Sequence, residues 1–246
     1  MSFDHLKRAA LQVNQALAKS GLVVLTWGNA SAVDRQADDG RGAMAIKPSG
    51  VDYDHLQLDD MVVLSLRGGT VLDGTKRPSS DTLTHLELYR EFPNIGGIVH
   101  THSAHATAFA QASREISCLG TTHADHFYGS VPVTRVLRAD EIKADYELNT
   151  GKVIVERFRS GDINPDNMPA ILIAGHAPFV WGASPEKALE NAIALEYIAG
   201  MQIETFRIST QSSSDISLEG ISQSLLDKHF FRKHGAAATY GQAEKK

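Results

Sequence analysis

The strongest constraint on the fold of this sequence is the stretch Gly96-Gly97-Ile98-Val99-His100-Thr101-His102-Ser103, which sets two imidazoles where a strand would aim them at one point. Ile95, Ile98 and Val99 supply a β-branched run, and residues i and i+2 of a strand share a face. Ser103, followed by Ala104, Ala106, Ala108 and Ala110, reads as an N-cap and a departing helix. His100 and His102 therefore belong at the C-terminal end of a strand, opening into a cleft. Two neutral imidazoles on one face suit zinc, but a catalytic site needs a third protein ligand and an open position. His176, in Gly175-His176-Ala177-Pro178 between two apolar runs, lies at another strand end and is the candidate third. Alone, a His-x-His pair more often satisfies backbone partners in a core than it holds a metal.

A chain of 246 residues with 42% hydrophobic content can bury a large core, and no shift in composition marks a boundary, so one domain spanning 1–246 is expected. Its 24 basic and 29 acidic side chains give a net charge of −5, which argues against a surface built to neutralise nucleic-acid phosphates. Any anion site must be local. Met1 to Lys7 contains no apolar signal core, no run is long enough to span a bilayer, and Cys118 is the only cysteine. The expectation is a cytoplasmic protein without an intrachain disulfide, in which the sequon Asn29-Ala30-Ser31 is not glycosylated.

Leu6, Ala9, Ala10, Val13, Ala16 and Leu17 recur at helical spacing, with Gly21 placed to end the helix. Strands are expected at Leu22 to Thr26 and Ala43 to Ile46, separated by a charged loop from Asp34 to Gly42. A hairpin is expected from Met61 to Leu72 around Arg67-Gly68-Gly69, then a helix capped by Ser80 or Asp81. A short helix from Ala139 to Tyr146 and a strand from Lys152 to Phe158 precede strands at Ala170 to Ala174 and Phe179 to Trp181. The longest helix follows Ser184-Pro185, with Leu189, Ala192, Ile193, Glu196 and Ala199 along one side. A serine-rich linker, Ser209 to Ser214, leads to a last helix through Leu225, Leu226, His229 and Phe230. Such a mixture points to an α/β fold in which a largely antiparallel sheet carries helices on both faces.

Three further constellations stand beside the histidines. Gly28-Asn29, Lys47 with Ser49-Gly50, and Ser79-Ser80 are small polar turns whose amides, hydroxyls and ammonium would suit a phosphate if they converge; each alone is equally an ordinary turn or cap. Thr121-Thr122-His123-Ala124-Asp125-His126 sets a carboxylate among hydroxyls and imidazoles, as a general acid or base needs, although a turn-forming aspartate is commoner. The tail carries His229, His234 and Tyr240, and a polar C-terminus is ordinarily frayed.

The stretches TWGNASAVDR, IKPSGVDY, PSSDTLTHLELY, GGIVHTHSAHAT, GTTHADHFYG, YELNTGKVIVE and DKHFFRKHGAAATYGQ together resemble the L-ribulose-5-phosphate 4-epimerases of the class II aldolase/epimerase family, over nearly the whole chain and in order. The resemblance implies a three-layer α/β/α domain with a central, mostly antiparallel mixed sheet. It also implies one zinc ion per subunit, a phosphorylated pentulose substrate and a homotetramer with active sites between subunits. Carried over, it makes His100, His102 and His176 the zinc ligands with Asp81 beside the metal. Gly28, Asn29, Lys47, Ser49, Gly50, Ser79 and Ser80 become the phosphate pocket. Asp125, Tyr240 and His229 fall on acid/base positions with Thr121 nearby, the Asp125 and Tyr240 groups reaching the site from a neighbouring subunit.

The implied reaction inverts C4 of a 2-ketopentose 5-phosphate by breaking and remaking C3–C4. Sister aldolases of the same fold place a glutamate near the metal; here the matching residue is Asp81, one methylene shorter, which favours an epimerase over an aldolase.

Overall fold

The computed structural model describes residues 2–210, 219–235 and 238–239. Among the described residues, seven strands form one sheet: β1 Asn29–Asp34, β2 Ala43–Ile46, β3 Val62–Ser65, β4 Val71–Asp73, β5 Gly97–His100, β6 Ala170–Leu172 and β7 Pro178–Gly182, in the order β4-β3-β2-β1-β5-β7-β6. Every neighbouring pair is antiparallel, so among the named strands the sheet is not mixed. The helices are α1 Asp4–Lys19, α2 Ala37–Gly40, α3 Thr82–Glu91, α4 Ala104–Gln111, α5 Thr121–Ala124, α6 Ala139–Ser160, α7 Pro185–Thr210 and α8 Gln223–Phe231.

Strand alternation sorts the helices into layers. Ala32, Ala43, Ala45 and Val63 pack with Leu6 and Ala10 of α1; the small side chains let that helix lie close to the sheet. On the same face, a Cβ at Gly97 would stand 2.3 Å from the Pro185 Cα and one at Gly182 2.7 Å from the Ala188 nitrogen, so these glycines seat α7. On the other face, Ser31 bonds to His85 and Tyr89 of α3, while Trp181 packs against Phe92, just past α3, and Phe158 of α6. The result is helix, sheet, helix, with one large apolar cluster and a smaller one beneath α1.

Several elements depart from the sequence-based expectation. Leu22 to Thr26 is not a strand: Leu25 turns left-handed (φ 55°), Val24 and Leu25 are exposed, and pairing begins only at Asn29, where β2 and β5 flank the chain. Lys152 to Phe158 is helical, part of α6, because Val153, Ile154, Val155 and Phe158 find their burial against the helical layer; packing overrides the strand preference of β-branched residues. The loop from Asp34 to Gly42 contains the short α2. On α7 the buried side runs through Ala188, Asn191, Ala192, Leu195, Ile198, Ala199 and Gln202, and Ile193 is exposed. Ser184 does cap that helix, accepting from the Lys187 amide at 3.2 Å. Neither Asp81 nor Ser103 caps by its side chain; Glu196 instead accepts the first amides of α4, from His105 at 2.9 Å and Ala106 at 3.0 Å. Ser209 lies in α7, and most of the expected linker lies outside the described residues. Among the described residues no helix is long and apolar enough to cross a membrane.

Antiparallel pairing gathers the candidate residues. The end of β5 lies beside the start of β1, with Asn29 opposite His100, and beside the start of β7, with Phe179 opposite His100. The end of β2, leading into Lys47, lies against the same end of β1.

Candidate active site and metal centre

His100 closes β5, 2% exposed, its ring stacked 4.2 Å from Phe179. Its Nδ1 lies 2.9 Å from the Pro178 carbonyl, which can only accept, so Nδ1 carries the proton and Nε2 keeps a free lone pair. His102 follows two residues later, beyond the strand, near Trp27 at the cleft mouth. His176 sits on the β6–β7 turn, where Gly175 takes φ +74° and the His176 amide donates to the Ile173 carbonyl at 2.9 Å. The three rings stand 5.0 Å apart, centroid to centroid, and one nitrogen of each lies within 4.8 Å of the others.

Burial, then the neighbouring His100 and His102, push His176 down to about 4; burial and His100 also lower His102. Neutral imidazoles with converging lone pairs are what a divalent ion of zinc type requires, so the donor set fits such an ion. Asp81 stands in the same cleft. Burial pushes its carboxyl up, but His100, His85 and a 2.7 Å bond donated by Asn29 outweigh that and leave it below the usual value.

A cleft of about 570 Å³ joins these residues to all seven expected phosphate-pocket positions. A Cβ on Gly28 would stand 2.7 Å from the His100 carbonyl, and its φ is +75°, so only glycine lets the chain pass there into β1. The turns after β2 and before α3 are joined: the Ser49 amide donates to the Arg77 carbonyl, the Ser79 amide donates to the Lys47 carbonyl, both at 3.0 Å, and Pro48 bridges to Pro78. Lys47 is 1% exposed, with Nζ 3.4 Å from the Pro48 carbonyl and 4.7 Å above the Tyr53 ring. Burial lowers its pKa, with Asp52 pulling the other way, so a bound anion would be a favourable partner for its ammonium.

The expected acid/base residues form a second group, away from the walls of that cleft in the same chain. Asp125 follows α5 and receives Arg232 at 2.9 Å on each oxygen, Lys233 at 3.3 Å and His229 Nδ1 at 3.1 Å. Burial raises its pKa, but these bonds outweigh burial and hold it below the usual carboxylate value. His234 Nε2 donates to the Asp125 carbonyl at 3.0 Å, so this part of the tail is docked rather than frayed. Thr121 lines a smaller cavity of about 290 Å³ with Gln202 and His123. Tyr240 lies outside the described residues.

Sequence reasoning missed Tyr146, Glu147 and Trp27 as cleft residues. The first two follow a break in α6 at Asp145 (φ −157°, ψ 89°), which neither proline nor glycine announces. Their one sequence signal was their position at the head of the YELNTG stretch.

Among solved structures, an L-fuculose 1-phosphate aldolase is 22% identical with a TM-score of 0.74, covering 93% of this chain and 96% of that one. The L-fuculose-1-phosphate aldolase of Thermus thermophilus is 25% identical with a TM-score of 0.60, covering 86% and 98%. YgbL of Klebsiella pneumoniae is 24% identical with a TM-score of 0.66, covering 93% and 99%. Residues 8–203 match the family described as class II aldolase and adducin N-terminal domain. With that match spanning most of its length, this chain belongs to the class II aldolase and adducin N-terminal domain family.

Proposed function

We propose that this protein is a zinc-dependent L-ribulose-5-phosphate 4-epimerase, interconverting L-ribulose 5-phosphate and D-xylulose 5-phosphate by cleaving and rejoining C3–C4. The observation that carries this reading over an aldolase is the tether on Asp81. Its carboxylate is ionised, short and held by Asn29 at 2.7 Å, so it is poorly placed to deliver a proton to the three-carbon fragment and release it. A fragment that is not protonated at carbon can add back to the aldehyde.

His100, His102 and His176 would hold the ion, with Asp81 beside it. When bound, the ion supplies Lewis-acid stabilisation of negative charge on the ketose oxygens. The protein's own groups do the rest. Lys47, the hydroxyls of Ser49, Ser79 and Ser80, Asn29 and the glycine turns at Gly28 and Gly50 hold the 5-phosphate. One base takes the C4 hydroxyl proton; the C3–C4 electron pair moves into the C2–C3 enediolate, leaving glycolaldehyde phosphate anchored by its phosphate. The aldehyde turns over, C3 re-attacks its other face, and an acid on that side protonates the new C4 oxygen.

Asp125 and Tyr240, brought from a neighbouring subunit of a homotetramer, form that acid/base pair, with Thr121 nearby. His229, whose Nδ1–H donates to Asp125 across 3.1 Å, orients the carboxylate that takes up the proton.

The test is product analysis after incubating the zinc-reconstituted protein with L-ribulose 5-phosphate. D-xylulose 5-phosphate is expected. Free dihydroxyacetone and glycolaldehyde phosphate without the epimer would make it an aldolase, and absence of turnover would overturn the enzymatic reading.

A further inference from the structure

The three histidines are not held alike. His100 is fixed twice, by the Pro178 carbonyl and by its stack on Phe179. His176 projects from a turn whose backbone bonds fix its Cα but not its ring. The partner of its side chain is the Tyr146 hydroxyl, 3.2 Å from Nδ1, with the two rings 6.1 Å apart.

Tyr146 is itself held from several sides. It is the first residue after the α6 break, its carbonyl accepts from Thr150 Oγ1 at 2.9 Å, and Asp145 Oδ1 accepts the Leu148 amide at 3.3 Å. The next carbonyl, of Glu147, accepts from Thr84 Oγ1 of α3 at 2.6 Å. Gly151 seals the same contact: a Cβ there would stand 2.7 Å from the Glu87 Cβ. The break in α6 is thus tied to the helix that begins beside Asp81. A phenol oxygen has a lone pair with which it can accept a hydrogen bond from a ring N–H.

We propose that Tyr146 is the positioning residue of the metal centre: its phenol oxygen accepts a hydrogen bond from Nδ1–H of His176, fixing that tautomer and turning Nε2 toward the point shared with His100 and His102. This rests on the metal-centre reading above. Tyr146 does the work for His176 that a backbone carbonyl does for His100. A ligand whose ring is held in this way loses less freedom on binding, and removal of such partners typically lowers metal affinity roughly 10- to 100-fold.

The test is titration of metal-free protein with Zn²⁺ against a chromogenic chelator, comparing wild type, Tyr146→Phe, His102→Ala and His176→Ala. Phenylalanine keeps the ring packing and removes only the oxygen. Tyr146→Phe is expected to keep the circular-dichroism spectrum and bind Zn²⁺ roughly 10- to 100-fold more weakly. With Co²⁺ as probe, its visible spectrum should shift as one ligand loosens. Both histidine variants are expected to lose the ion. Wild-type affinity and an unchanged cobalt spectrum in Tyr146→Phe, while His176→Ala loses the ion, would overturn the role of Tyr146 and leave the metal centre standing. Unchanged affinity in His176→Ala as well would remove the metal centre and this proposal with it.

Discussion

Asn29 donates to Asp81 across 2.7 Å, linking the first residue of β1 to the residue that precedes α3. Asn29 is 2% exposed and lines the cleft that also holds the three histidines and the proposed phosphate-binding turns. Asn29→Ala should therefore release Asp81 and weaken the grip on the phosphorylated fragment together. The expected outcome is slower epimer formation, by roughly tenfold or more, with free glycolaldehyde phosphate appearing in the medium. Epimer formed at the wild-type rate without free aldehyde would remove Asn29 from the site.

Lys47 predicts opposite effects on stability and activity. An ammonium buried to 1% exposure is costly to desolvate, and methionine fills similar space without charge. Its lowered pKa means that the unfolded chain holds the proton more tightly, so wild-type stability should rise with pH between the folded and unfolded values of Lys47. Lys47→Met should melt at the same or a higher temperature in phosphate-free buffer. It should also raise KM for the phosphorylated substrate, by roughly tenfold or more. A large loss of stability with unchanged KM would show that Lys47 is structural.

Asp125 carries a second pH argument. Its pKa is depressed in the folded protein because Arg232, His229 and Lys233 outweigh burial, so its contribution is present above the unfolded value and lost as pH falls through the folded one. Hydrogen exchange in Gln223–Phe231 should keep its protection factor between pH 7 and pH 5 in wild type. In Asp125→Asn at pH 7 the protection should fall about tenfold, because Arg232 and Lys233 lose their anionic partner and His229 a hydrogen-bond acceptor. Equal protection in both proteins would mean that α8 is held by Leu226, Phe230 and the Tyr128 contacts without Asp125.

The histidine cluster was legible because two of its members share a strand end at a spacing of two and the third marks a hairpin turn. The polar turns around Asn29, Lys47 and Ser79 were legible as turns. Their convergence was not, since it depends on β1 being flanked by β2 and β5 and on the Pro48–Pro78 bridge, which no local pattern encodes. Val153-Ile154-Val155 misled for the same reason, their helical state being decided by burial against a layer remote in sequence. Asp145 gave no sign of the break it makes, and so Tyr146 and Glu147 stayed hidden.

The proposed sharing of the site between subunits has a test of its own. His102→Ala carries its defect on the metal side and Tyr240→Phe on the tail side, so mixing the two under subunit exchange should restore part of the activity. A mixture of Asp125→Asn and Tyr240→Phe should stay inactive, because both groups are proposed to come from the same neighbour. An inactive first mixture would place the whole site within one subunit.

The central claim, that C4 is inverted by carbon–carbon cleavage in the histidine cleft, is tested most directly by running L-ribulose 5-phosphate turnover to equilibrium in D₂O and reading the product by NMR. Cleavage of C3–C4 leaves every carbon–hydrogen bond at C3 and C4 intact, so D-xylulose 5-phosphate free of deuterium at both carbons is predicted. Deuterium at C4, or no conversion by the zinc-loaded protein, would contradict it.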